Sequence, residues 1–224
     1  MALPGEVLVV DDVPAAFSQH VIDAFRTRLL DTFSLALSGG DTARRCYERL
    51  AEVCGTQVDW WKVDVYWGDE RCVPHDHVDS NYRLAREALL DRVGAANATH
   101  LMRCAEGPDP YQLRLGDLGR IDLVHLGLGT DGHTASLFPG SAALDADPGR
   151  LVAMNDDPLG EHPYQRMTLT LAGIARANLV IVTVEGAEKA EPLRRIAAGE
   201  DLPGARIAAD RVVWLVDPAA AAGL

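Results

Sequence analysis

Short apolar runs alternate with segments of helical periodicity along almost the whole chain, and this alternation restricts the fold more than any other feature. Runs at 6–12, 33–37, 63–67, 121–126, 178–184 and 212–216 read as strands. Segments at 14–30, 42–53, 80–92, 111–118 and 187–198 repeat their apolar residues at helical spacing. Shorter strands are expected at 100–103, 151–154 and 167–171, the last leading into a short helix. Strand–helix alternation of this kind predicts a mainly parallel α/β sheet with helices on both faces. No internal repeat or linker divides the chain, so one domain over 1–224 is expected.

Three strand ends then carry polar and glycine residues: SGGDT at 38–42, GDER at 68–71 and GLGTDGH at 127–133. In a parallel sheet all three emerge on one edge, where such sheets bind ligands. The strand at 121–126 is broken only by Asp122 and His125. It ends in Gly127, Gly129 and Gly132 and is expected to hand over to a helix start, gathering free N–H groups. His133 puts an imidazole that titrates near neutrality into that turn. Ser38-Gly39-Gly40 is a candidate phosphate cradle, because absent side chains let the backbone approach an anion. Asp41 would repel a phosphate. It is expected to turn inward as the N-cap of the next helix, leaving Thr42 and either Arg44 or Arg45 to face a ligand. Asp69, Glu70 and Arg71 follow the aromatic strand VDVYW, where a partly buried acid–arginine pair points to function.

Other chemistries fit less well. Gly127, Gly129 and Gly132 spell a dinucleotide-like GxGxxG, but Pro139-Gly140 and Asp147-Pro148-Gly149 interrupt the long helix that a dinucleotide site needs. His75, Asp76, His77 and Asp79 crowd one loop without a helical His pair or a Cys partner, so no metal site is expected. Neither Ser38 nor Ser136 sits in a GxSxG elbow. The cysteines, Cys46, Cys54, Cys72 and Cys104, show no CxxC pair and are expected as reduced thiols. A balance of 21 basic against 33 acidic residues, net −12, argues against a nucleic-acid surface. No basic segment precedes the first apolar run and no run approaches membrane-spanning length. A cytoplasmic protein without signal peptide or membrane association is expected.

Taken in order, SGGDT, WGDERCVPHDHVDSNY and LGLGTDGHTASLFPGS resemble the 6-phosphogluconolactonase family, as do the later HPYQRMTLTL and VEGAEKA. The related glucosamine-6-phosphate deaminases share the glycine turn and DGH but usually continue with Asn-Glu-Pro. This chain continues Thr134-Ala135-Ser136-Leu137-Phe138-Pro139, as in the lactonases. The resemblance implies a Rossmann-like open sheet of the sugar-phosphate isomerase and deaminase type, with no cofactor and no metal. It also implies hydrolysis of 6-phospho-D-glucono-1,5-lactone to 6-phosphogluconate, a step of the oxidative pentose phosphate pathway. On this pattern His133 is the general base, and either Asp131 or Asp69 orients it, with N–H groups of the glycine turn as candidates for the oxyanion. Ser38, Gly39, Gly40 and Arg71 map onto the phosphate site, and Arg166 and Lys189 match its later basic positions. The chain departs from the family's SGGSTP at Asp41 and Ala43. Asn81 and Tyr82 either shape the pocket or, for Asn81, cap the following helix.

Two other readings remain at this stage: an amino-sugar-phosphate deaminase working through Asp69, and a sugar-phosphate sensor, for which the chain has no DNA-binding segment. A monomer or weak homo-oligomer is expected, and the Pro/Gly-rich segment 141–163 is a candidate lid on composition.

Overall fold

The apolar runs assemble into one seven-stranded parallel sheet, ordered β1 (Glu6–Val9), β10 (Arg211–Val216), β9 (Ala177–Val184), β6 (Ile121–Gly127), β2 (Phe33–Leu37), β3 (Val63–Trp67) and β5 (Ala98–Thr99). The computed structural model describes residues 3–224. In chain order its first half runs β1 (Glu6–Val9), α1 (Val13–Arg26), β2 (Phe33–Leu37), α2 (Asp41–Val53), β3 (Val63–Trp67), β4 (Asp69–Arg71), α3 (Asn81–Ala85), β5 (Ala98–Thr99) and α4 (Asp109–Leu118). The second half runs β6 (Ile121–Gly127), β7 (Val152–Asn155), β8 (Arg166–Leu169), α5 (Leu171–Ile174), β9 (Ala177–Val184), α6 (Ala190–Ala197), β10 (Arg211–Val216) and α7 (Pro218–Ala221). Met1 and Ala2 lie outside the described residues. They belong to the stretch read for a targeting signal and to the expected 1–224 domain.

Every residue of β2 is buried, so both faces of the sheet are covered at its centre, as an α/β sheet requires. The α1 helix starts on Asp12, whose carboxylate accepts the Ala15 N–H at 2.9 Å, and buries Phe17, Val21 and Phe25. It stops at Arg26, short of the expected 30, leaving Leu29 and Leu30 exposed. β2 leads toward β3 on one side, while β6 leads on to β9 on the other. The carboxyl ends of β2 and β6 therefore flank a switch point, the usual ligand crevice of open sheets.

Several expectations need correction. No helix follows the glycine turn. Thr134 Oγ1 donates to Gly127 O at 2.9 Å, Thr134 bridges to Leu137, and Ala135 takes a left-handed φ of 48°, so the segment folds back on the sheet edge. Residues 69–71 are not a turn but β4, the edge of a second, antiparallel sheet ordered β4-β8-β7, whose partners come from far along the chain. The strand expected at 100–103 forms at Ala98–Thr99 instead. Of the candidate lid, Ala143, Leu151, Val152 and Asn155 are buried, and β7 is part of the second sheet. Cys72 and Cys104 are not reduced but joined, with S–S 2.00 Å, while Cys46 and Cys54 are free and buried. Spacing along the chain carries no information about that pair, because the meeting of the β4 exit with the turn at Cys104–Glu106 is tertiary. No helix among the described residues is long and apolar enough to cross a membrane.

Candidate active site

The ends of β2, β3 and β6 open onto a cleft of about 250 Å³ that residues from all three expected turns line. Ser38, Gly39 and Gly40 leave β2 and lead into α2, with Gly40 at φ 96° just before the helix. A Cβ at Gly39 would stand 1.8 Å from Asn81 Oδ1, so the close approach needs glycine. The loop is held from the core. Ser38 N–H donates to Tyr47 Oη at 2.6 Å, that oxygen lies 2.9 Å from His125 Nδ1, and His125 Nε2 lies 2.9 Å from Thr183 Oγ1. Burial pushes the Tyr47 phenol well above its usual range and the His125 imidazole down to about 3, so this buried chain is neutral. The polar breaks in the apolar run at 121–126 thereby acquire reasons. Asp122 accepts the Ser34 N–H and Oγ at 2.8 Å each, and His125 braces the cradle.

Asp41 is not an N-cap but the exposed first residue of α2, and no side chain caps that helix. Thr42 lies in a neighbouring depression with Asp41 and Arg45, and accepts from Arg45 at 3.2 Å. Arg45 pairs with Glu185 at 2.7 Å and Arg44 stands 4.0 Å from Glu87, so neither lines the cleft.

The acids after β3 divide their work. Glu70 is buried and accepts the N–H groups of Arg71, Asn81 and Tyr82 at 2.7–2.8 Å, tying β4 to the start of α3. Burial raises its carboxyl despite those donors. Ser80 is the N-cap of α3, which frees Asn81 to point at the cleft. Asp69 accepts from Ser136 Oγ at 2.6 Å and from Asn81 Nδ2 at 3.2 Å. It joins the second and third motifs but does not touch the imidazole it was a candidate to orient.

Arg71 and Arg166 stand directly opposite each other in the β4–β8 register. Like charges in that position repel. Burial first, then Arg71, lowers the Arg166 guanidinium below its usual value. Neither arginine, nor Lys189, has a carboxylate within 4.0 Å among the described residues. Burial also lowers the Lys189 ammonium, although Glu188 and Asp131 oppose the shift. Arg71 donates to Asp79 O at 2.7 Å, and its Nε and Asn81 Oδ1 are buried without a partner. Three cations and two unpaired polar atoms around one cleft form a site complementary to an oxygen-rich anion.

At the other end His133 is oriented by Asp131. Asp131 Oδ1 accepts the His133 backbone N–H at 3.0 Å and lies 2.5 Å from Nδ1. Burial, the largest single influence, would raise the Asp131 carboxyl, but the side-chain and backbone hydrogen bonds and the attraction to His133 together outweigh it and hold the group down to about 2. With Nδ1 engaged, Nε2 is the ring nitrogen left for chemistry. The N–H groups of Gly129 and Gly132 are spent within the turn, on His133 O and Gly129 O, which removes both from the oxyanion role. Asp131, His133 and His162 offer ligand atoms within 4.8 Å of one another, the one such group among the described residues. The 2.5 Å contact is a hydrogen bond, however, shorter than the roughly 3.3 Å between two donors on one tetrahedral zinc.

Within HPYQRMTLTL the family resemblance implies a role for Arg166 and none for His162, yet His162 lines the cleft beside His133. Its only signal was an imidazole a few residues before a basic position. Phe138 and Ser136 likewise line the cleft.

The chain matches the family model described as glucosamine-6-phosphate isomerases/6-phosphogluconolactonase over residues 6–214. It is 38% identical over 210 residues to a 6-phosphogluconolactonase of Synechocystis sp., covering 85% of this chain and 84% of that one. Among solved structures, a 6-phosphogluconolactonase from Trypanosoma cruzi superposes with a TM-score of 0.83 at 27% identity, covering 100% of this chain and 98% of that one. A monomeric glucosamine-6-phosphate deaminase superposes equally well, TM-score 0.83, over 98% of this chain and 100% of that one, but at 18% identity this likeness concerns the fold alone.

Proposed function

The chain belongs to the glucosamine-6-phosphate isomerase/6-phosphogluconolactonase family, and from that premise we propose that it hydrolyses 6-phospho-D-glucono-1,5-lactone to 6-phosphogluconate. The observation that carries the reading is the unneutralised pair of half-buried Arg71 and buried Arg166, facing each other at one cleft with the Asp131–His133 dyad. Such a pair costs stability in the free protein and is offset when a dianionic phosphate sits between the guanidinium forks. Ser38, Gly39, Gly40 and Lys189 complete that end of the site.

In the reaction, Nε2 of His133 takes a proton from a water as the water oxygen attacks the lactone carbonyl carbon. The Asp131 carboxylate, fixed on Nδ1, stabilises the imidazolium that forms. The tetrahedral intermediate then collapses, the bond from carbonyl carbon to ring oxygen breaks, and the imidazolium returns its proton to that oxygen. The product is an open-chain acid. The step runs on this imidazole with no resident metal, so exhaustive chelation is expected to leave the rate unchanged.

The test is acid release from freshly made phosphogluconolactone, corrected for spontaneous opening. The expected result is a protein-dependent rate that His133→Ala lowers by about 10²- to 10⁴-fold. A rate no faster with protein than without it would overturn the reading, as would ammonia release from glucosamine 6-phosphate in its place.

A further inference from the structure

Asp131 serves His133 through one oxygen only. Its other oxygen, Oδ2, is faced by His162 Nε2 at 3.8 Å. The two imidazoles meet edge to face with centroids 4.8 Å apart, and His162 stacks on Phe138 at 4.9 Å and 18°. Phe138 itself lies 5.1 Å from the His133 ring. Two imidazoles thus face one carboxylate, and Phe138 packs against both rings.

This placement is built by the loop that carries His162. Asp157 accepts the N–H groups of Leu159, Glu161 and His162, each at 2.9 Å, which curls the segment back over the cleft. Tyr164 takes a left-handed φ of 74°, a conformation that costs a non-glycine residue free energy and recurs where structure serves a site. Its Oη donates to Asp79 Oδ2 at 3.0 Å, and Arg166 donates to Pro163 O and Tyr164 O at 3.0 and 3.2 Å.

We propose that His162 is a positioning residue: it closes the open side of Asp131 and, with Phe138, fixes the His133 ring, so that two imidazoles and one carboxylate handle the reaction's proton as a unit. The inference rests on the lactonase reading above. When Nε2 of His133 takes up a proton, Asp131 must stay aimed at Nδ1, and a carboxylate with a bare second oxygen is free to rotate away. The charged groups facing His162 are Asp131 and His133 from the glycine turn, Asp157 from its own loop and Arg166 from β8. Burial and then His133 lower the His162 imidazole, with the two aspartates opposing. The neutral form of His162 is therefore favoured more than in an ordinary imidazole. In acid, its added proton draws Asp131 away from His133 and sets a second cation beside it.

Two variants test this. His162→Phe keeps a ring on Phe138 but no nitrogen, and His162→Gln keeps a polar group for Oδ2. The expected result for His162→Phe is a kcat lowered about tenfold with KM within about twofold. On the acid side, log kcat/KM against pH should change from a slope above one proton to a slope of one, and His162→Gln should recover part of kcat without the second proton. Unchanged kcat and pH profile, or a raised KM at constant kcat, would overturn the proposal. NMR titration of the imidazoles in the free protein separates this result from failure of the lactonase reading. A His133 titration unmoved by His162→Phe rejects the coupling whatever the activity, and a moved one upholds it even if the wild-type protein opens no lactone.

Discussion

Asp131 shows how far one side chain's environment can be pulled in two directions. Half-burial disfavours its charge, but the 2.5 Å contact to His133 Nδ1, the backbone N–H and the attraction to the ring together win, and the carboxyl stays down to about 2. Because this value is depressed, the stability that Asp131 contributes is complete above the ordinary carboxyl range near pH 3.8 and is lost only as pH falls toward 2. An acid limb in the activity above pH 5 therefore does not belong to this acid. Asp131→Asn removes the charge that favours the imidazolium and replaces an acceptor-only group with an amide that can also donate, so the tautomer is no longer fixed. Its kcat should fall by about 10²-fold or more while KM changes little, because the cations lining the cleft are untouched. A pH-stat measurement of lactone opening with blank correction checks both constants. His133 and Asp131 were legible at this scale because they are two residues apart on one glycine turn. His162 was not, since nothing local to 156–165 says which carboxylate its ring will face.

Among elements, the turn after β6 carries the most chemistry per residue. A Cβ on Gly129 would stand 2.1 Å from His133 Nδ1 and 2.5 Å from Asp131 Oδ1, so the dyad cannot form as it is beside an alanine. Gly129→Ala should lower kcat by about 10²-fold, the cost of displacing a reacting group by an ångström, while the fold persists. Gly116→Ala is the control. Gly116 lies within α4 with no atom near a prospective Cβ, and the change should add about 0.5–1 kcal/mol of stability with activity unaltered. Thermal melts and turnover measured on both proteins give the comparison. Most strands and helices could be read from periodicity, because a strand buried on both faces or an amphipathic helix announces itself locally. β4 could not, for its three residues owe their strand conformation to hydrogen bonds with β8. The helix expected after Gly132 failed for a related reason. Thr134 and Ser136 spend their hydroxyls on Gly127 O and Asp69, and helix geometry would withdraw both.

For the molecule as a whole, an imidazole in the core ties stability to pH. His125 is fully buried between Tyr47 and Thr183, and burial holds it down to about 3 against an ordinary value of 6.5. Between these values the unfolded chain binds the proton that the folded chain refuses. Folding stability must therefore fall as pH drops from about 6.5 toward 3, by up to about 1.4 kcal/mol per pH unit. His125→Gln, which cannot charge, should show a smaller drop in urea midpoint between pH 7 and pH 5 than the wild-type protein. Equal drops in the two would refute the assignment. Global charge and local site also part company at this scale. A chain of net −12 gathers Arg71, Arg166 and Lys189 around one cleft, and a few fixed cations outweigh a diffuse field at contact range.

The sequence by itself determined the parallel α/β architecture and the convergence of three polar strand ends, because hydrophobic periodicity and glycine turns are local and a parallel sheet sends its strand ends to one edge. Tertiary structure alone decided that Asp131 and not Asp69 holds His133, that Arg71 faces Arg166, that Cys72 meets Cys104, and that His162 covers the second oxygen of Asp131. Each of those choices depends on which of several chemically equivalent groups is brought opposite another. That pairing is set by strand register and loop closure over many residues, not by the spacing of residue types along the chain.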